Sequence, residues 1–96
     1  MDTKLVATDN KTGLICGEAT GTVDLLAAAR QIDFDNGSDS LAPNYTIVSD
    51  LAHDRDGYHF WEVPAALEIE ETPTLETHCA VLEGRFRGIV AAEYHV

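Results

Sequence analysis

The sequence predicts an α+β domain: an antiparallel sheet of two hairpins with helices packed on one face, in ββα-ββα order. Three observations predict it. Short β-rich runs come in pairs, KLVAT with LICGEA at 4–8 and 14–19, and NYTIVSDL with GYHFWEVP at 44–51 and 57–64. Turn-forming residues separate the members of each pair, and a stretch with helical spacing of apolar residues follows each pair. Ninety-six residues suit one domain spanning 1–96. A chain of this length buries roughly two-thirds of its unfolded surface, enough for a core without metal or disulfide support.

In the first pair the intervening DNKTG is turn-rich, and Gly13 takes the positive φ that closes such a loop. TGTVDLLAAARQIDFDNG at 20–37 reads as a helix. Thr22 is its expected N-cap and Asp24 lies in its first turn. Leu25, Leu26, Ala29 and Ile32 form one buried stripe, and Asn36-Gly37 supplies the stop. NGSDSLAPN at 36–44 is linker-like. Tyr45, Ile47 and Val48 favour a strand, as does GYHFWEVP, which Pro64 ends. These two strands form the second hairpin, with AHDRDG as its tip. AALEIEE at 65–71 is compatible with strand or loop. The segment from Thr72 to the end is contested. Leu75, Cys79, Leu82, Phe86 and Ile89 recur at steps of four and three, Thr72 or Thr74 caps the start, and Glu83 with Arg87 makes an i, i+4 pair. Gly84 and Gly88 weaken a helix by about 1 kcal/mol each, and a hairpin turning at Glu83-Gly84 is the rival. Helix is the expectation.

Charge is the unusual property. Seventeen acidic and six basic side chains give a net −11. Residues 33–76 hold eleven of the acids and a single base, Arg55. Such concentration opposes compaction and repels nucleic acid phosphates, so direct nucleic acid binding is not expected. A basic protein partner is. The alternative is that acidity serves solubility alone, or reflects a halophilic source. No apolar run approaches the roughly 20 residues that cross a bilayer. The N-terminus has neither the basic nor the apolar region of a signal peptide, so cytoplasmic residence is expected and a membrane role is not. Cys16 and Cys79 form no paired motif and read as small buried apolar residues.

DLAHDRDGYH at 50–59 gathers three aspartates and two histidines. A calcium loop starting at Asp54 fails, because Tyr58 and Phe60 fall at ligand positions and Gly57 comes two residues early. A transition-metal site at the hairpin tip would use His53, Asp54, Asp56 and His59, in a spacing that matches no established ligand pattern. No serine sits in a glycine-framed elbow and no phosphate cradle occurs. Neither a cofactor nor an enzymatic activity is expected, and HDRDG reads first as a turn.

In a strand, Tyr58, Phe60 and Glu62 point one way while His59, Trp61 and Val63 point the other. One aromatic set left near the surface would provide an anchor ringed by carboxylates. The expected partner-binding residues are Asp33, Asp35, Asp39, Asp50, Asp54, Asp56, Tyr58, Trp61, Glu68, Glu70 and Glu71. Carboxylates so placed imitate a row of phosphates. In size and acidity the chain resembles the small inhibitors of phages and mobile elements, such as anti-CRISPR and anti-restriction proteins, and is similar to the immunity proteins that neutralise nuclease toxins. That resemblance is compositional and rests on no motif. It implies a stoichiometric inhibitor that mimics nucleic acid on a basic nucleic-acid-binding protein, with an immunity protein or antitoxin, and a small metal-binding protein, as alternatives. A homodimer would use the aromatic face.

Overall fold

The computed structural model describes residues 2–37, 44–49 and 55–93. Seven elements run in the order ββαββαβ: β1 (Thr3–Asp9), β2 (Ile15–Ala19), α1 (Leu25–Asp35), β3 (Asn44–Val48), β4 (Gly57–Pro64), α2 (Leu75–Leu82) and β5 (Arg85–Glu93). The five strands form one sheet in the order β2-β1-β4-β5-β3, and every neighbouring pair is antiparallel. The α+β class stands.

Strand alternation divides the apolar residues between two faces. Leu5 and Ala7 of β1, Phe60 of β4 and Val90 of β5 lie under Leu25, Ala28, Ala29 and Ile32 of α1. Fully burying a side chain the size of Leu5, Ile32 or Phe60 contributes roughly 1.5–3 kcal/mol, so this layer is the principal core. Val6 and Val63 point the other way and meet Val81 of α2, flanked by Ile15, Trp61, Leu67 and Ile69. The expectation of helices on one face is therefore corrected. The two helices lie on opposite faces, because the sheet has an apolar set on each side.

The ββα-ββα order and the second hairpin are corrected as well. The first hairpin is present, with Gly13 at φ 73° closing the turn between β1 and β2. β3 and β4 do not pair with each other. β4 runs in register with β1 from Thr3↔Pro64 to Asp9↔Tyr58 and takes β5 on its other edge, while β3 lies outermost against β5. The expected tip AHDRDG therefore joins two strands that are not sheet neighbours. Its residues 52–54 lie outside the described residues, as do most of the 36–44 linker and residues 94–96.

The contested C-terminal segment is half helix and half strand. α2 ends at Leu82, Glu83 caps it, and β5 begins at Arg85. Gly84 makes this change of course sterically feasible: a Cβ there would lie 2.6 Å from the Glu62 carbonyl oxygen and 2.8 Å from Val63 Cγ1. Burial of Ile89, Val90, Ala91 and Ala92 in the sheet outweighs the helical spacing. The expected Glu83–Arg87 pair is lost with the helix, and Arg87 instead lies 3.4 Å from Glu62. Residues 65–71 make a turn and an irregular loop.

Both helix starts follow capping chemistry. Asp24, and not Thr22, caps α1 by accepting from the Leu26 N–H, while Thr22 Oγ1 accepts from the Asp24 N–H. Thr74 caps α2 by accepting from the Thr77 N–H at 3.2 Å. Asn36 and Gly37, at φ 84°, stop α1 as expected.

Candidate functional site

The expected carboxylates do not share one environment. Asp33 is 6% exposed, so little of its carboxylate reaches the surface. Its carboxylate accepts from the Tyr45 hydroxyl at 2.5 Å and also from the Tyr58 hydroxyl. Burial, and then the hydrogen bond to Asp33, push the Tyr58 phenol well above its ordinary value. The Tyr58 ring packs on Tyr45 and Phe60, with centroids 5.9 and 6.0 Å away. Asp33 and Tyr58 thus tie α1 to β3 and β4, with Asp33 buried and Tyr58 half-buried. Asp39, Asp50, Asp54 and His53 lie outside the described residues. Asp56 is exposed and ion-paired with Lys11 at 3.0 Å.

Glu68, Glu70 and Glu71 are exposed in the loop between β4 and α2. Glu70 and Glu71 face the free edge of the sheet across a cleft of about 300 Å³, whose opposite wall is Ile15, Cys16, Gly17 and Glu18 of β2. Asn36 closes one side and donates from Nδ2 to the Cys16 carbonyl at 3.1 Å. The neighbouring Asp35 is exposed at the same end of α1. Glu70 also accepts from Thr77 Oγ1 at 2.9 Å, which fastens the acidic loop to the start of α2 beside Glu76. Glu70 and Glu71 therefore share one cleft with Glu18. Asp35 is next in sequence to the cleft residue Asn36, Glu68 belongs to the same loop as Glu70, and Glu76 lies in the first turn of α2. Glu18 is held by the buried Lys4 ammonium at 2.8 Å. From residue 56 to residue 84 the chain contains seven acids and no lysine or arginine, so covalent neighbours offer this side no neutralising charge.

α2 presents an unexpected face. The stripe Leu75, Cys79, Leu82 reads in sequence as the buried one, yet all three are exposed, Leu75 by 77%. Thr77 and Val81 face inward instead. Cys79, read as a buried residue, is on the surface; Cys16 is half-buried, and its thiol is pushed up to about 12 by burial and then by the charges of Asp9 and Asp33. A helix of eight residues needs only one or two side chains to dock, and Val81 fills that role against Val6 and Val63.

Leu75 and His78 of α2 form, with Leu14, Ile15 and Pro73, a mostly apolar groove of about 560 Å³. It shares Ile15 and Pro73 with the acidic cleft. It shares His78 with a second groove at the β1–β2 turn, lined by Lys11, Leu82, Trp61, His59 and Asn10 among others. Trp61, expected as an anchor, lies half-buried at that end: its Nε1 donates to Thr8 Oγ1 at 3.0 Å and its ring packs on Phe86, 5.1 Å away and itself 47% exposed.

The polar groups at the Trp61 end are already committed. Asn10 is buried and donates from Nδ2 to the Val90 carbonyl at 3.0 Å, which turns its Oδ1 toward His59 Nδ1 at 2.6 Å. An amide oxygen only accepts, so His59 carries a proton on Nδ1. Asp9 Oδ1 accepts from the Lys11 and Thr12 N–H groups and so holds the turn. Gly57 permits this packing, since a Cβ there would stand 2.1 Å from the Val90 carbonyl oxygen and 2.8 Å from Asn10 Nδ2. A histidine and a carboxylate do line one groove here, but the carboxylate serves the turn's own backbone. Among the described residues, no group of three histidine, cysteine, aspartate or glutamate side chains is arranged to hold a metal. No described helix is long and apolar enough to cross a membrane.

Sequence reasoning missed Leu14, Glu18, Leu75, Glu76, His78 and Leu82. Two stripes compete on 75–82, and only the packing of Val81 decides between them. Comparison with known proteins found no matching family model, no matching curated protein and no matching solved structure.

Proposed function

We propose that this chain is a stoichiometric binding protein directed at a basic nucleic-acid-binding protein, whose nucleic acid it displaces by presenting carboxylates in place of phosphates. The observation that carries this reading is the placing of Glu70 and Glu71 across one cleft from Glu18, which Lys4 pairs, with Glu68 in the same loop, Glu76 at the start of α2 and no lysine or arginine from residue 56 to residue 84. A field of one sign over a concave surface attracts lysine- and arginine-lined grooves and speeds encounter. The phage-type inhibitor and the immunity protein or antitoxin are two settings for the same chemistry, since a nuclease toxin also exposes a basic groove.

The test is capture of basic proteins from a nuclease-treated lysate on the immobilised chain at low salt. Captured proteins should elute as salt rises, be displaced by added duplex DNA, and be absent from a column carrying Glu70→Lys with Glu71→Lys. Capture indifferent to salt, to DNA and to the double substitution would refute the reading.

A further inference from the structure

The acidic cleft and the apolar groove share Ile15 and Pro73 in their walls, and the apolar groove shares His78 with the Trp61 groove, so the three adjoin as a segmented depression. Its chemistry changes along its length. Carboxylates of Glu70 and Glu71 stand at one end, and leucine side chains line the middle. The Trp61 indole, the His59 imidazole, Asp9 and Lys11 line the other end, with His78 shared between it and the middle. Four of the seven exposed large apolar side chains among the described residues, Leu14, Leu75, Leu82 and Phe86, lie along it or on Trp61 within it. Singly exposed leucines need no explanation, but a contiguous apolar strip with a charged rim is the arrangement of a recognition surface.

We infer that this depression binds one linear segment of a basic protein partner, with lysine or arginine residues in the acidic cleft and the apolar residues that follow them seated between Leu14 and Leu75. The inference rests on the acidic-surface reading above and adds the partner's shape and order of residues. Charge complementarity selects the occupant. A nucleic acid offers phosphates to a surface of the same sign, and a second copy of this chain would bring a net −11 against it. A segment that is cationic first and apolar next matches both parts. Its apolar residues desolvate the leucines while its cations stay at the wetter rim, where each pair is worth little alone but steers association.

Trp61 is the chain's single tryptophan and lines the groove that adjoins the proposed seat at His78, so its fluorescence reports on a segment that reaches that end. The probes are two synthetic peptides of equal length: one with three lysines followed by four residues alternating leucine and alanine, the other with glycines in place of the leucines and alanines. The first should shift the Trp61 emission and bind about tenfold more tightly than the second. Leu75→Ser should bring the two to the same affinity, and Leu14→Ser should do likewise. Leu75 and Leu14 are 77% and 65% exposed, so neither change touches the core, and an unchanged melting temperature verifies it. Glu70→Lys with Glu71→Lys should weaken both peptides. Equal binding of the two peptides to the unaltered chain, with Leu75→Ser silent, would overturn the groove inference and leave the acidic-surface reading intact. Sensitivity to Leu75→Ser with no response to the glutamate reversal would refute the cationic end of the segment and the acidic-surface reading with it. Binding of neither peptide at low salt would overturn the inference, while capture by the immobilised chain continues to decide the broader reading.

Discussion

Asp33 accepts from two phenols at once, and at the scale of single residues this cluster sets the chain's response to alkali. Tyr58 and Cys16 both lose their protons at higher pH in the folded chain than in the unfolded one, chiefly because burial disfavours the charged form. Below the ordinary thiol and phenol values of 9.0 and 10.0, both states hold both protons and the groups impose no slope. Above them the unfolded chain ionises first, so stability falls as pH rises. The urea midpoint should decline from pH 9.0 upward. Tyr58→Phe should flatten the part of that decline that begins at 10.0. At neutral pH the same substitution should cost about 1–3 kcal/mol, because the buried Asp33 carboxylate loses a donor. An unchanged alkaline profile would show that the phenol does not titrate with folding. The thiols supply a second check. Iodoacetamide at neutral pH should label Cys79 in the folded protein and reach Cys16 only after unfolding, as mass spectrometry of digested peptides will report.

The elements differ in how far their residues announce them. α1 is legible because its alanine-rich apolar spacing and its Asn36-Gly37 stop agree, although its cap is Asp24 and not the expected Thr22, and the β1–β2 hairpin because DNKTG offers one turn and little else. In sequence α2 and β5 have the pattern of one helix, because Leu75, Cys79, Leu82, Phe86 and Ile89 keep helical spacing across a boundary that only tertiary contacts create. Gly84 marks that boundary, through the space that the Glu62 carbonyl and Val63 leave, and such a constraint is invisible without the neighbouring strand. Gly84→Ala should therefore destabilise by about 1–3 kcal/mol through overpacking, although alanine is the better helix former. A neutral or stabilising effect in a denaturant melt would contradict this account of the boundary. The partnership of β3 with β5 was equally illegible. Strand pattern identifies which residues alternate but not which edge they pair with, and β4 had two claimants besides β3.

For the whole molecule, the excess charge was plain from the sequence, but its arrangement was not. The fold withdraws Asp33 to the interior and pairs Asp56 with Lys11. It sets Glu18 across the cleft from Glu70 and Glu71. It also turns the leucine stripe of α2 outward beside them, so that an acidic rim and an apolar strip share one depression. Opposite faces of the sheet are thereby given different work: α1 closes the main core, and α2 is docked by Val81 while it displays Leu75 and Leu82. The central claim is that this side of the molecule is where a cationic partner binds. Amide chemical-shift mapping tests it most directly, by titrating hexalysine into isotope-labelled protein at low salt. The account predicts shifts concentrated on residues 14–18 and 68–78, fading as salt is added. Shifts of equal size at Asp2, Asp24 and Glu93, exposed acids that line none of the three grooves, would contradict it.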